Sequence, residues 1–121
     1  MIFTKKDYIE IDDKKIPVKF NMKVFHQFAT ETDIPFFKYL ETVSKGDILN
    51  SNTTALIYHA LVEGHKIEGK EMEFTREEVD SIDIEYVMPF IEKLTAAIEK
   101  LGNGQQAQLK AEANKKQKAK A

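Results

Sequence analysis

The hydrophobic pattern changes its period within residues 16–28, which read IPVKFNMKVFHQF. In the first half, apolar residues alternate with Pro17 and Lys19, as in a strand with one buried face. Beyond Asn21, apolar residues recur every three or four positions, which is the repeat of an amphipathic helix. Asn21 suits a helix N-cap because its side-chain oxygen can accept from an amide of the first turn. The pattern therefore predicts a strand that leads directly into a helix, with an aromatic cluster at Phe20, Phe25 and Phe28.

A β-hairpin is predicted before that helix. Residues 8–11 (YIEI) and 16–20 (IPVKF) alternate, and the polar residues 12–15 between them are of hairpin length. Pro17 has no amide hydrogen, so its nitrogen should face an unpaired edge. Two strands alone are marginal in water, so we expect a packed helix or a third strand. Residues 1–4 are the candidate for a third strand, within the chain or donated between subunits by self-association.

Three helices are predicted in the first half of the chain. The first covers residues 22–30, and Pro35 suits the opening turn of a second helix that closes at residues 44–47. A third begins near Asn52 and stops at Gly64, a residue type favoured at helix C-termini. Its dense apolar stripe, which makes it the central helix, consists of Leu56, Ile57, Ala60 and Leu61.

Two further signals place helices in the second half. Thr75 and Glu78 have the spacing of a capping box, and Phe74 and Val79 are placed to form the accompanying hydrophobic staple. The last helix covers residues 83–101, where Pro89 removes one internal hydrogen bond and predicts a kink or a break.

The sequence as a whole predicts an α+β fold that is mainly α. An N-terminal β-hairpin packs against a bundle of four to five helices in one globular domain, residues 1–102. Residues 103–121 have almost no large apolar side chain after Leu109 and are expected to form a mobile, Lys-rich tail. That tail carries a net charge of +4 and the domain −6, within a total of −2. An acidic domain argues against general nucleic-acid binding, which needs positive charge on the folded surface.

No catalytic or metal-binding pattern is found in the sequence. The chain has no cysteine, no Gly-rich phosphate loop and no nucleophile elbow, so we expect neither an enzyme nor a cofactor. His59 and Glu63 lie four residues apart, but a metal site needs more ligands than this pair, so an ordinary exposed pair is the preferred interpretation. The start of the chain lacks the apolar run of a signal peptide, and no stretch is long enough to span a membrane, so a cytosolic protein is expected.

Aromatic residues are the remaining candidates for function. Five of the eight phenylalanines fall between Phe20 and Phe37, and a simple core role is the favoured account for any one of them. Adjacent residues on a helix point about 100° apart, so Phe36 and Phe37 should not both enter one core, and one of them is a candidate for an exposed contact. Tyr86 and Phe90 lie beside the main stripe of the last helix, as core or as part of a groove for another chain.

The order of these features resembles the tail assembly chaperones of long-tailed, non-contractile bacteriophages and prophages. The resemblance covers about residues 8–101 and lies in YIEIDDKKIPVKF, NMKVFHQFATETD, TTALIYHALVEG and REEVDSID, followed by the final amphipathic helix. At residues 30–33 family members often place a Thr-Gly pair, whereas this chain reads TETD.

The resemblance implies a non-enzymatic role in the host cytoplasm. Such proteins bind the helical tape measure protein, help to recruit tail tube subunits, and are absent from the mature virion. Helix-in-groove recognition by adaptable aromatic and methionine side chains fits that role. The alternatives are a small helical regulatory or nucleic-acid-interacting module of a mobile element and a structural tail-completion protein. The candidate partner-binding residues are Phe36, Phe37, Tyr39, Tyr86, Met88 and Phe90.

Overall fold

The structure, a computed structural model, describes residues 3–102 and confirms the predicted α+β, mainly α fold. The predicted tail, residues 103–121, lies outside the described residues, as do residues 1 and 2 of the candidate third strand; Phe3 and Thr4 are not in a strand. The elements in chain order are β1 (Tyr8–Ile11), β2 (Lys14–Pro17), α1 (Met22–Thr32), α2 (Phe36–Ser44), α3 (Ser51–Glu68), α4 (Arg76–Asp80) and α5 (Ile84–Gly102).

The two strands form an antiparallel hairpin in which Ile9 lies opposite Ile16. Asp12 and Asp13 make a two-residue loop with φ values of 51° and 63°. Positive φ at both loop residues is the conformation whose twist matches that of the strands, and Asp tolerates it better than most residues. The hairpin turn is therefore shorter than the four residues predicted.

Strand β2 ends at Pro17 rather than at Phe20, because the chain leaves the ladder for helix α3. The Val18 amide still donates to the Asp7 carbonyl (3.1 Å), but the Lys19 amide donates to the Ala60 carbonyl of α3 (3.0 Å). Successive strand amides point in opposite directions, so the nitrogen of Pro17 faces away from β1, as predicted.

Helix α1 begins as predicted and ends two residues later than predicted. The Asn21 side chain caps it by accepting from the Val24 amide (3.1 Å). At the other end Asp33 adopts the left-handed conformation (φ 57°) and its amide donates to the Ala29 carbonyl (2.9 Å). Asp33 thus takes the helix-terminating position that glycine usually occupies.

Both predicted ends of α3 were wrong. Asn50, not Asn52, is the N-cap, and its side chain accepts from the amides of Asn52 and Thr53. The helix continues through Gly64 and ends before Gly69, which has the left-handed φ of 79°.

Gly64 has a packing role instead: a Cβ there would lie 2.4 Å from both Cα and N of Val18. Only glycine lets α3 approach β2 so closely.

The remaining helices follow their local signals with one exception. The capping box at α4 is confirmed, since the Thr75 side chain accepts from the Glu78 amide and the Glu78 side chain accepts from the Thr75 amide. Of the kink or break predicted at Pro89, the break is wrong, because α5 runs through this residue without interruption. Pro89 lies near the start of the helix, where its missing amide leaves only the carbonyl of Glu85 without its usual donor.

The core is built around α3. Residues of the hairpin, α1 and α4 pack against its apolar stripe, α5 packs mainly on β1, and α2 closes the end near Tyr39, whose hydroxyl bonds Thr53 (2.7 Å). Within residues 3–102, no helix has the length and apolar character to cross a membrane. The predicted central helix is thus confirmed, and its buried stripe consists of Leu56, Ile57, Ala60 and Leu61.

We expect Gly64→Ala to lower the free energy of unfolding by about 3 kcal/mol or more, because the added methyl meets backbone rather than a movable side chain. Gly69→Ala is the matched control: its Cβ would meet no atom, so it should cost only about 1 kcal/mol for the left-handed φ. Chemical denaturation of both variants measures the difference. Equal losses would contradict the close approach of α3 and β2.

Candidate protein-binding site

An apolar cleft of about 240 Å³ opens between the hairpin, α4 and α5, with α3 beneath it. Four of its lining residues are buried and form the floor, whereas the others are half-buried walls or, for Glu78, exposed. Eight of the nine lining residues are hydrophobic. We call this site the hairpin cleft; it is lined by Ile11, Ile16, Leu61, Phe74, Glu78, Val79, Ile82, Tyr86 and Phe90.

The secondary structure explains why these side chains meet. Ile11 and Ile16 lie on one face of the hairpin, since Ile16 pairs with Ile9 and strand side chains alternate. Tyr86 and Phe90 are four residues apart on α5 and therefore share a face of that helix. Phe74 precedes the capping box of α4 and reaches the same space. Each wall thus follows from a local periodicity, but their convergence depends on the tertiary fold.

The mouth of the cleft is acidic. The Tyr86 hydroxyl donates to Oδ2 of Asp12 (2.9 Å), which links α5 to the hairpin turn. The hydrogen bond to Asp12 and the negative charges of Asp12, Glu85 and Asp83 raise the pKa of Tyr86, so this hydroxyl stays protonated. Glu78 adds a further carboxylate among the lining residues.

Helix α4 is held in place by an ion-pair network at the surface. The guanidinium of Arg76 donates twice to Glu31 of α1 (2.8 and 2.7 Å), and its Nε donates to Asp80 (3.2 Å). Nε2 of His59 lies 2.9 Å from the same Glu31 carboxylate. The predicted pairing of His59 with Glu63 was therefore wrong: His59 faces α1, while Glu63 accepts from Asn21 (2.8 Å). The network joins α1, α3 and α4.

The structure separates the six candidate residues predicted from sequence. Tyr86 and Phe90 line the cleft, although Phe90 is only 2% exposed and belongs to its floor. Tyr39 is buried in the core. Met88 is exposed on another face of α5 and does not line the cleft.

Phe36 and Phe37 differ in burial, as the angle of about 100° between adjacent helical residues predicts. Phe36 stacks on Phe25 with a centroid distance of 4.0 Å and meets Phe28 edge-on at 6.0 Å. Phe37 remains 59% exposed. Neither lines the hairpin cleft.

Three wall residues have no sequence signal that assigns them to a site, namely Ile11, Phe74 and Ile82. Ile11 was predicted as part of a strand and Phe74 as part of the hydrophobic staple, but neither pattern shows which distant element a side chain will face. Ile82 stands between two helices and has no periodicity of its own. No local signal would have grouped the three.

The hairpin cleft is suited to binding an apolar side chain presented by another polypeptide. Its walls offer one carboxylate and one phenol, and neither is paired with a base or nucleophile inside the cleft. In residues 3–102, no group of three or more histidine, aspartate or glutamate side chains is arranged to hold a metal ion. The arrangement therefore supports recognition by hydrophobic contact.

We expect Phe36→Asp to lower the free energy of unfolding by about 3 kcal/mol, because the change removes a stacked ring and places a charge against Phe25 and Phe28. Phe37→Asp, the matched control on the next residue, should change it by less than about 0.5 kcal/mol. Thermal and denaturant unfolding measure both. Similar losses for the two variants would show that Phe37 is also packed.

Acid should weaken the Arg76–Glu31 network. The Arg76 guanidinium, with His59, lowers the pKa of Glu31 from its usual 4.5 to about 2. A lowered pKa adds stability above pH 4.5, and that stability is lost as pH falls from 4.5 towards 2. Because Glu31 is 36% exposed, we expect Glu31→Gln to cost only about 1 kcal/mol at pH 7.

Denaturant midpoints of the native chain and Glu31→Gln, measured at neutral pH and at several values between pH 4.5 and 2, check this prediction. The difference between the two proteins should shrink across that interval. A difference that stays constant would contradict an ionised Glu31 as the source of the stability.

Comparisons with known proteins do not add a family to this description: no family model, no curated protein and no solved structure matches the chain.

Proposed function

We propose that the protein is a non-enzymatic tail assembly chaperone of a phage or prophage, which binds helical segments of the tape measure protein. The observation that carries the proposal is the hairpin cleft, an open hollow with eight hydrophobic residues among its nine lining residues. Apolar side chains that remain accessible at a concave surface are typical of sites for other polypeptides.

The size of the cleft favours side chains over small molecules. Pockets for drug-sized ligands enclose roughly 300–1,000 Å³, whereas the hairpin cleft encloses about 240 Å³. One or two bulky side chains would fill it. An amphipathic helix presents such anchors at three- and four-residue spacing and lays them into a groove. Helical segments with regularly spaced apolar residues are therefore the partner that fits best.

The chemistry of the walls supports weak and repeated binding. Phe74, Ile82 and Tyr86 are half-buried, so part of their surface is already shielded from water before a partner arrives. A small apolar contact must also offset the translational and rotational freedom lost on association. The resulting low affinity suits a chaperone that releases its client when the tail tube assembles.

Three further parts of the proposal come from the resemblance. The protein helps to recruit tail tube subunits, acts in the cytoplasm of the bacterial host, and is not retained in the mature virion. A tail-completion protein would instead be found in purified particles, so detection of this protein in purified particles would contradict the chaperone role. A gene for a tube protein upstream and a very long tape measure gene downstream would support it.

We expect Tyr86→Glu to reduce co-purification with tape measure fragments at least about tenfold, because a second carboxylate would enter the apolar cleft beside Asp12. Met88→Glu is the matched control: it lies two residues away on the same helix, about 200° around the axis, and is 46% exposed. Pull-down from cells that co-express both proteins gives the ratio.

Far-ultraviolet circular dichroism and thermal unfolding of both variants would verify that each remains folded. Loss of the partner by Met88→Glu alone would place the contact on the other face of α5. If both variants still retain the tape measure fragments, that result would contradict a role of α5 in binding them. Failure of native protein to retain any tape measure fragment would contradict the proposed function itself.

A further inference from the structure

The carboxylates around the hairpin cleft cluster at its mouth rather than on its floor. Glu78 lines one side, and Asp12, on the hairpin turn, accepts a hydrogen bond from Tyr86 across the opening. Asp83 just precedes α5 and Glu85 lies in its first turn, and both are close enough to the Tyr86 hydroxyl for their charges to act on it. The cleft therefore combines an apolar interior with an acidic edge.

Nearby cations offset only part of this charge. Arg76 is engaged by Glu31 and Asp80, so its charge is already shared between two carboxylates. Lys15 lies over the ring of Tyr8 (4.6 Å to the centroid), on the opposite hairpin face. Lys14 pairs with Ile11 and shares its face of the hairpin, where it neutralises one charge at most. Within residues 3–102, four carboxylates against one lysine leave the mouth negative.

This arrangement makes the cleft selective for charge as well as for apolar shape. Carboxylates beside a surface that excludes water act through a lower dielectric than those in bulk solvent, so their effect on an arriving charge increases. A helix that presents lysine or arginine next to its apolar anchor would be attracted, and one that presents glutamate would be repelled. Specificity then arises from repulsion of the wrong helix as much as from contact with the right one.

We infer that the occupant of the hairpin cleft is a cationic amphipathic helix of the partner protein, with lysine or arginine flanking a bulky apolar residue. The inference rests on the proposed function, in that it takes the cleft as the contact surface, and it adds the charge class of the client segment. Charge complementarity with Asp12, Glu78 and Glu85 decides between otherwise similar amphipathic segments.

The test compares three synthetic amphipathic helices of equal length, which have leucine at the same positions and lysine, glutamate or glutamine at the polar ones. Binding to the full chain is followed by fluorescence anisotropy. At about 0.05 M salt we expect the lysine helix to bind about tenfold more tightly than the glutamate helix, with the glutamine helix between them. At about 0.5 M salt the three affinities should converge, because exposed charges are screened.

Two charge-reversal variants on α5 locate the effect. Glu85→Lys removes about two thirds of the net negative charge at the mouth of the cleft, so the preference for the lysine helix should fall from about tenfold to about twofold. Glu99→Lys makes the same change of net charge on the same helix, about 21 Å farther along. That separation exceeds the screening length, which is roughly 14 Å at about 0.05 M salt, so this variant should keep the preference.

The other outcomes overturn either the charge selectivity or the cleft as a client site. Equal binding of the lysine and glutamate helices would refute the charge selectivity and leave an apolar client site intact. An equal effect of Glu85→Lys and Glu99→Lys on the preference would also refute the charge selectivity of the cleft, because the net charge of the protein would then explain the preference. Failure of all three helices to bind would refute the proposed function of the cleft.

Two further occupants would also overturn the inference. If the protein sediments as a dimer that the lysine helix dissociates, a second copy is the occupant. If replacing the five lysines of residues 103–121 by glutamine raises the affinity for the lysine helix about tenfold or more, the chain's own basic segment competes for the cleft. In either case the natural occupant would not be a segment of another protein.

Discussion

Helix α3 and strand β2 touch backbone to backbone, and the rest of the fold depends on this contact. At Gly64 no side chain separates the two elements, so the Ala60 carbonyl can accept a hydrogen bond from Lys19 at 3.0 Å. This bond takes the chain out of the ladder just after Val18. A two-stranded hairpin is marginal by itself, and the helix beneath it supplies the missing stabilisation. The same contact brings Ile16 above the α3 stripe, where it forms part of the cleft.

Polar contacts between distant parts of the chain then fix the other helices against α3. Asn21 caps α1 with its side-chain oxygen and donates from its nitrogen to the largely buried Glu63, so the start of α1 is tied to the middle of α3. At the opposite end of α1, Glu31 binds Arg76 and His59. These contacts tie α4, one side of the cleft, to α1 and α3.

The hairpin cleft persists because polar contacts at its edge hold its walls. Phe74 and Val79 are fixed by the capping box of α4, and Tyr86 is fixed by its bond to Asp12. Collapse would bury more apolar surface but would have to break these local bonds. An accessible apolar hollow in a small domain is therefore a consequence of its polar contacts, and the acidic edge follows from the same residues that hold it open.

The sequence by itself determined the features that arise from neighbouring residues. The alternation at Ile9 and Ile16, the Asn21 cap and the Thr75 capping box depend on hydrogen bonds and periodicities within a few positions, so they were readable without the fold. The angle between Phe36 and Phe37 was readable for the same reason. The α+β, mainly α class follows from these local features taken together.

The tertiary structure decided everything that depends on which distant segment lies opposite. Glycine is a residue type favoured at helix ends, yet Gly64 lies inside α3, where it allows the backbone of β2 to pass close to the helix. Pro89 interrupts a pattern but not a helix, since α5 packs on both sides of it. Tyr39 was a candidate for partner contact, but it is buried in the core and its hydroxyl bonds Thr53. The cleft itself joins residues up to 79 positions apart, from Ile11 to Phe90, and burial at such a site is set by packing between elements rather than by local preference.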